Sequence, residues 1–145
     1  MALVQLDVAP DPAHVRVVRL VAVSLARVNG VDEDLVEDVR LAVGEACGRA
    51  VAAHDRAALD DPVRLSFEVG DGGGAGLRVE VSDRVALPKA DGDEALALLV
   101  SGPDPASPGA AGPAVMALLD GLADRVVVHT GASGTTVELR WTDRS

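Results

Sequence analysis

The chain predicts an α/β protein of the two-layer sandwich class, with helices on one face of a mostly antiparallel, mixed sheet. Three observations carry this expectation. Two pairs of strand-like runs are each joined by a glycine-containing turn, and two long segments carry apolar residues at helical spacing. The elements run in the order strand, two helices, hairpin, proline- and glycine-rich segment, helix, hairpin. Gathering the helices on one side of such a sheet is the most economical way to bury all the apolar faces.

Leu3–Val8 alternates apolar and polar positions well enough for a short edge strand, and Pro10 and Pro12 punctuate the approach to a helix. Val15, Val18, Ala22 and Leu25 share one helical face, and Asn29-Gly30 ends that helix with residues that tolerate left-handed geometry. A second helix opens at Asp32 with an acidic first turn, which complements the positive end of the helix dipole. Its buried face is Leu35, Val39, Ala42, Val43, Ala46, Ala50 and Val51, and it runs to about His54.

Pro62–Val69 and Leu77–Asp83 read as a hairpin around the glycine-rich turn Gly70–Gly76. The alternation of Val63, Leu65, Phe67 and Val69 predicts one buried and one wet face. Residues 84–111 are dense in proline and glycine around a short helix, Asp93–Val100, and read as a mobile flap within one domain spanning 1–145. A helix over Pro113–Ala123 follows, with proline favourable at its first position. Strands Arg125–Thr130 and Thr135–Trp141 then pair across Gly131-Ala-Ser-Gly134.

With 145 residues, 48% of them hydrophobic, the chain can bury a real core but is short for two domains. Phe67 and Trp141 are its aromatics, so it offers no platform for stacking bases. A net charge of −10 disfavours nucleic acid and anionic membrane surfaces, and suits either a basic protein partner or solubility alone. Cys47 is the single cysteine, so neither an internal disulfide nor a thiolate metal cluster can form, and a reducing cytoplasm is the expected setting. The N-terminal residues carry no leader pattern, and the apolar run 20–26 is too short to span a membrane. His14, His54 and His129 have no partner at metal-ligand spacing and read as surface or boundary residues.

The second helix carries the chemistry. Glu45 and Arg49 stand one turn apart on it. A guanidinium has only donors and a fixed charge, so it gives no oxygen to a cation. From the helix alone, Glu45 and Arg49 form an i,i+4 ion pair, Asp83 is a strand-end turn residue, and Cys47 is a small buried hydrophobe.

Element order and local landmarks together resemble the GHKL (Bergerat) ATPase fold over nearly the whole chain, specifically the RsbW-like anti-sigma-factor serine kinases. Leu41-Ala-Val-Gly-Glu45-Ala-Cys-Gly-Arg49 is similar to that family's helix motif, with Arg49 in place of the magnesium-ligating Asn. Asp83 matches the Asp that contacts the adenine amino group, but the two glycines expected after it are missing. Gly112-Pro113-Ala114 keeps the first glycine of the phosphate loop, and Gly134-Thr135-Thr136-Val137 is the best preserved late landmark, with Thr135 near where the adenine pocket closes.

The resemblance implies that Glu45 would be the general base of an active kinase, and that Arg49, Asp83, Gly112, Ala114 and Thr135 are the remnants of a nucleotide site for ATP with Mg²⁺. Arg49 places a positive charge near the metal, Pro113 deletes one phosphate-facing N–H, and Ala114 adds a Cβ where close backbone approach is wanted. Losing two or three charge-assisted contacts of ~1.5–3 kcal/mol each lowers affinity by roughly three to six orders of magnitude. The alternative is that Arg49 and Arg84 hold phosphates directly without a metal.

The resemblance also implies partners: a sigma factor, a STAS-domain anti-anti-sigma factor, and a second copy in a homodimer. Arg16, Arg19 and Arg27 on the first helix are candidates for that surface, as is the acidic run Asp32-Glu33-Asp34 with Glu37 and Asp38. The leading expectation is a partner-switching regulator with weak or lost ATP binding, and the alternative is an active serine kinase that phosphorylates its STAS-domain antagonist. An ATPase-fold scaffold without a sigma partner is the third reading.

Overall fold

The computed structural model describes residues 2–70, 76–100 and 113–142. Strand β1 (Ala2–Val8) leads through a short 3₁₀ turn, Pro12–His14, into helix α1 (Val15–Val28). Asp11 caps that turn by accepting from the Ala13 N–H at 2.9 Å. Helix α2 (Glu33–Arg56) opens on Asp32, whose carboxylate accepts from the Asp34 N–H, and it is the central helix of the protein. The chain continues as β2 (Val63–Val69), β3 (Leu77–Ser82), β4 (Ala90–Asp91), α3 (Gly92–Val100), α4 (Pro113–Leu122), β5 (Arg125–Gly131) and β6 (Gly134–Trp141).

The strands form one six-stranded sheet in the order β1-β2-β3-β6-β5-β4, and all five neighbouring pairs are antiparallel. This is the expected α/β class, with β1 at one edge. Alternation decides the faces. Val63, Leu65, Phe67, Leu77, Val79, Val81, Val137 and Leu139 turn inward with α2 residues such as Val39, Val43, Ala46 and Ala50. The other face carries a charged ladder in which Arg78 bonds Glu68 and Glu138, and Arg140 bonds Glu138. With so few aromatics, the core is closed by small aliphatic side chains around fully buried Phe67 and nearly buried Trp141, whose indole N–H donates to the Leu122 carbonyl at 2.9 Å.

The segment after Asp83 is more structured than its composition suggests. Val85, Ala90, Ala95 and Leu99 are buried, and β4 adds a two-residue edge against His129 and Thr130 of β5. Residues 101–111, the rest of the expected flap, lie outside the described residues, as does Gly112. No helix among the described residues is long and apolar enough to cross a membrane.

Candidate functional site

The site lies where the middle of α2 passes the end of β3. Arg49 is on the inner side of α2, and its guanidinium forms an ion pair with the carboxylate of Asp83, the residue that follows β3. Both side chains are out of solvent, 2% and 0% exposed. Asp83 is fixed from three directions. Its second carboxylate oxygen accepts from the Val85 N–H at 2.8 Å, its own N–H donates to the Thr135 carbonyl at 2.9 Å, and its other oxygen faces Arg49.

Gly134 makes that approach possible. Its φ of +133° lies outside the range L residues favour, and a Cβ there would overlap the Asp83 carbonyl. The glycine that starts β6 therefore sets the separation between the two strand ends that carry Asp83 and Thr135.

The local ion pair expected between Glu45 and Arg49 does not form. Glu45 is half-buried and makes no hydrogen bond or ion pair among the described residues. The physical reason is burial: a desolvated guanidinium gains most from a carboxylate that is desolvated with it, so the inward Asp83 outcompetes the more exposed residue one turn away. Asp83 keeps the turn role read from the sequence through its bond to Val85 and adds the long-range pairing to it.

His54 is a correction. It is fully buried, where the sequence placed it at the surface or a boundary. Its Nε2 accepts from the Arg84 N–H at 2.8 Å, which makes Nδ1 the protonated nitrogen, donating to the Asp61 carbonyl at 2.9 Å. One ring thus ties the end of α2 and the loop before β2 to the residue beside Asp83. The spacing held a signal, since His54 continues the inner α2 face marked by Cys47 and Ala50.

Thr135 is 1% exposed and its hydroxyl has no hydrogen-bond partner among the described residues, and Arg49 Nε and Nη1 are likewise buried without one there. Ala114 lies in the first turn of α4. Cys47 is buried, and burial pushes its thiol up to about 11 despite the nearby charge of Arg19. Arg16 is exposed, whereas Arg19 is half-buried and lies across α2 at Gly44, where a Cβ would overlap its guanidinium. Arg27 bonds Glu33 at 2.7 Å across the α1–α2 turn.

These residues do not fit a bound magnesium ion. The position that would supply a neutral oxygen supplies a buried guanidinium, and the nearest fixed carboxylate is neutralised by it. Three orphaned polar atoms, two on Arg49 and one on Thr135, remain as the unsatisfied capacity of the site.

A family model, the histidine kinase-like ATPase domain, matches residues 8–141. That span runs from the end of β1 through Trp141, so it takes in α2, Asp83 and Thr135. Curated proteins give no match.

Proposed function

The chain belongs to the histidine kinase-like ATPase family, and from that membership we propose that it is an RsbW-like anti-sigma regulator working by partner switching. On this reading it binds a sigma factor or a STAS-domain anti-anti-sigma factor in the cytoplasm, and its ATP chemistry is weak or lost. The supporting observation is the buried Arg49–Asp83 pair. It spends on each other the two residues that a nucleotide site of this family would turn toward metal and adenine.

A protein that has lost its nucleotide needs another way to act, and α1 offers a surface for one. Val17, Leu20 and Val28 are 48%, 63% and 82% exposed on this helix, beside exposed Arg16. Exposed apolar side chains gathered on one helix beside a cation suit a protein contact.

Isothermal titration with ATP and ADP, with and without magnesium, tests the proposal. No heat at millimolar nucleotide is the expected result, and capture of a STAS-domain protein or sigma factor by the purified chain is then the positive test of the regulator. Micromolar nucleotide binding, with magnesium or with it chelated, would overturn it in favour of an active serine kinase.

A second reading has its own observation. Glu45 is unpaired and half-buried, as a general base must be, and Arg49 keeps one edge of its guanidinium free. A kinase that holds phosphate on that edge would bind ATP equally well with magnesium chelated. The same titration separates the two readings.

A further inference from the structure

On the sheet face away from the helices, the ends of β2, β3 and β6 surround a cavity of about 350 Å³. Its polar lining comes from a single cross-strand row. Asp7 lies opposite Arg64, Arg64 opposite Ser82, and Ser82 opposite Thr136, with Arg84 and Ser133 closing the rim.

Within this row the acceptors are used up before the donors. Asp7 receives Arg64 Nε at 2.9 Å and Nη2 at 3.3 Å. Ser82 and Thr136 share one hydrogen bond at 2.9 Å, which leaves one of their two hydroxyl protons free. The Arg84 side chain has no hydrogen-bond or ion-pair partner among the described residues, although its charge, after the Arg64 hydrogen bond and charge, helps hold the Asp7 carboxyl below its usual range. Asp83 also borders the cavity, but its carboxylate is fully buried and committed to Arg49 and Val85. Two guanidinium groups therefore face the cavity against one accessible carboxylate, a local excess of positive charge on a chain of net charge −10.

We propose that this cavity binds a phosphate group, held between Arg84 and Arg64 with the Ser82–Thr136 hydroxyl pair as a neutral donor. Donors converging from three strands and a loop suit a tetrahedral oxyanion better than a planar carboxylate, which one guanidinium satisfies alone. The volume exceeds what a bare phosphate fills, so the group arrives either free with water or on a small carrier such as a phosphorylated serine. The site is separate from the buried pair on the helix side, although both rest on the Asp83–Arg84 segment. The proposal does not depend on the regulator reading.

The test is a titration of ¹⁵N-labelled protein with inorganic phosphate at constant ionic strength, followed through the amides of Ser82, Arg84 and Thr136. Saturable shifts with a millimolar Kd are expected. Arg84→Ala should weaken binding about tenfold, the loss of one charge-assisted contact of ~1.4 kcal/mol. Asp7→Asn should tighten it, because it removes the anion that competes for Arg64. Opposite signs from two residues on one rim would not arise from a merely structural role.

Ser82→Ala with Thr136→Val gives a second weakening variant on the other side of the cavity. Phosphoserine as a second probe identifies the source: tighter binding than inorganic phosphate points to a phosphorylated side chain, and equal binding to the free ion. Shifts that never saturate, or an unchanged Kd in Arg84→Ala, would overturn the site.

Discussion

Asp83→Asn isolates the buried ion pair. Asparagine is nearly isosteric and keeps the oxygen that accepts from the Val85 N–H, so the turn survives and only the charge on the Arg49 side is lost. What remains is a guanidinium 2% exposed, with Nε and Nη1 already unpartnered and Nη2 now facing an amide. Removing one partner of such a pair costs ~3–5 kcal/mol, against a total stability of ~5–15 kcal/mol for an ordinary domain. With a urea m-value of ~2 kcal/mol/M, the unfolding midpoint should fall by roughly 1.5–2.5 M at unchanged slope.

Two companions make the measurement decisive. Arg49→Met added to Asp83→Asn removes the stranded charge and should recover most of the loss, whereas Glu45→Gln should leave the stability within about 0.5 kcal/mol of wild type. The reasoning is refuted if Asp83→Asn costs under ~1 kcal/mol, or if the double variant is no better than the single one. A large loss in Glu45→Gln would reinstate the local i,i+4 pair.

Arg49→Asn alone should restore neither magnesium-dependent ATP binding nor phosphotransfer, because Pro113 still lacks the N–H a phosphate loop would use; robust transfer of labelled phosphate by this variant would contradict that. Burial raises the Glu138 carboxyl, but its bonds to Arg78 and Arg140 outweigh this and hold it below the usual range. The unfolded chain therefore binds more protons in that window, so this stabilisation is present above the ordinary glutamate pKa and fades as pH falls through the lowered one; Glu138→Gln should flatten the acid limb of a stability-against-pH curve. Native Cys47, raised to about 11 and buried, should stay unmodified by a thiol reagent at pH 8 and react only on unfolding, which a colorimetric thiol assay reads. Gly134→Ala should lose roughly 2 kcal/mol or more in urea unfolding, since the new Cβ meets the Asp83 carbonyl and the backbone is already at φ +133°.

The parts of the fold that were legible obey a short period. Val63 to Val69 alternates because one sheet face is dry, and Leu35 to Val51 recurs at helical spacing because one helix face is, so both patterns sit in a few neighbouring residues. Strand β4 was missed because two residues carry no period, and its existence depends on β5 lying alongside it. The Arg49–Asp83 contact joins residues 34 apart. Local rules offered Glu45 as the partner, and only the packed structure shows which carboxylate shares the dry interior. That a guanidinium stands at position 49 was readable, but its partner was not.

The pairing bears on how such a protein is held together. A pocket built for a nucleotide keeps polar groups that the ligand satisfies, so ligand binding adds stability in proportion to its concentration over Kd. Here the Arg49 guanidinium on α2 satisfies the strand-end carboxylate from within the chain, and the two charges neutralise each other without a ligand. On the proposed reading, the fold no longer draws stability from ATP, and its affinity for a protein partner cannot be set by nucleotide level, because a ligand shifts an equilibrium only through its differential affinity for the two states. Control must then come from competition between partners for a surface such as the exposed apolar side of α1. Melting curves would express this as a Tm unmoved by millimolar ATP and raised by the partner protein; a Tm that climbs with ATP would show that the buried pair opens to admit it.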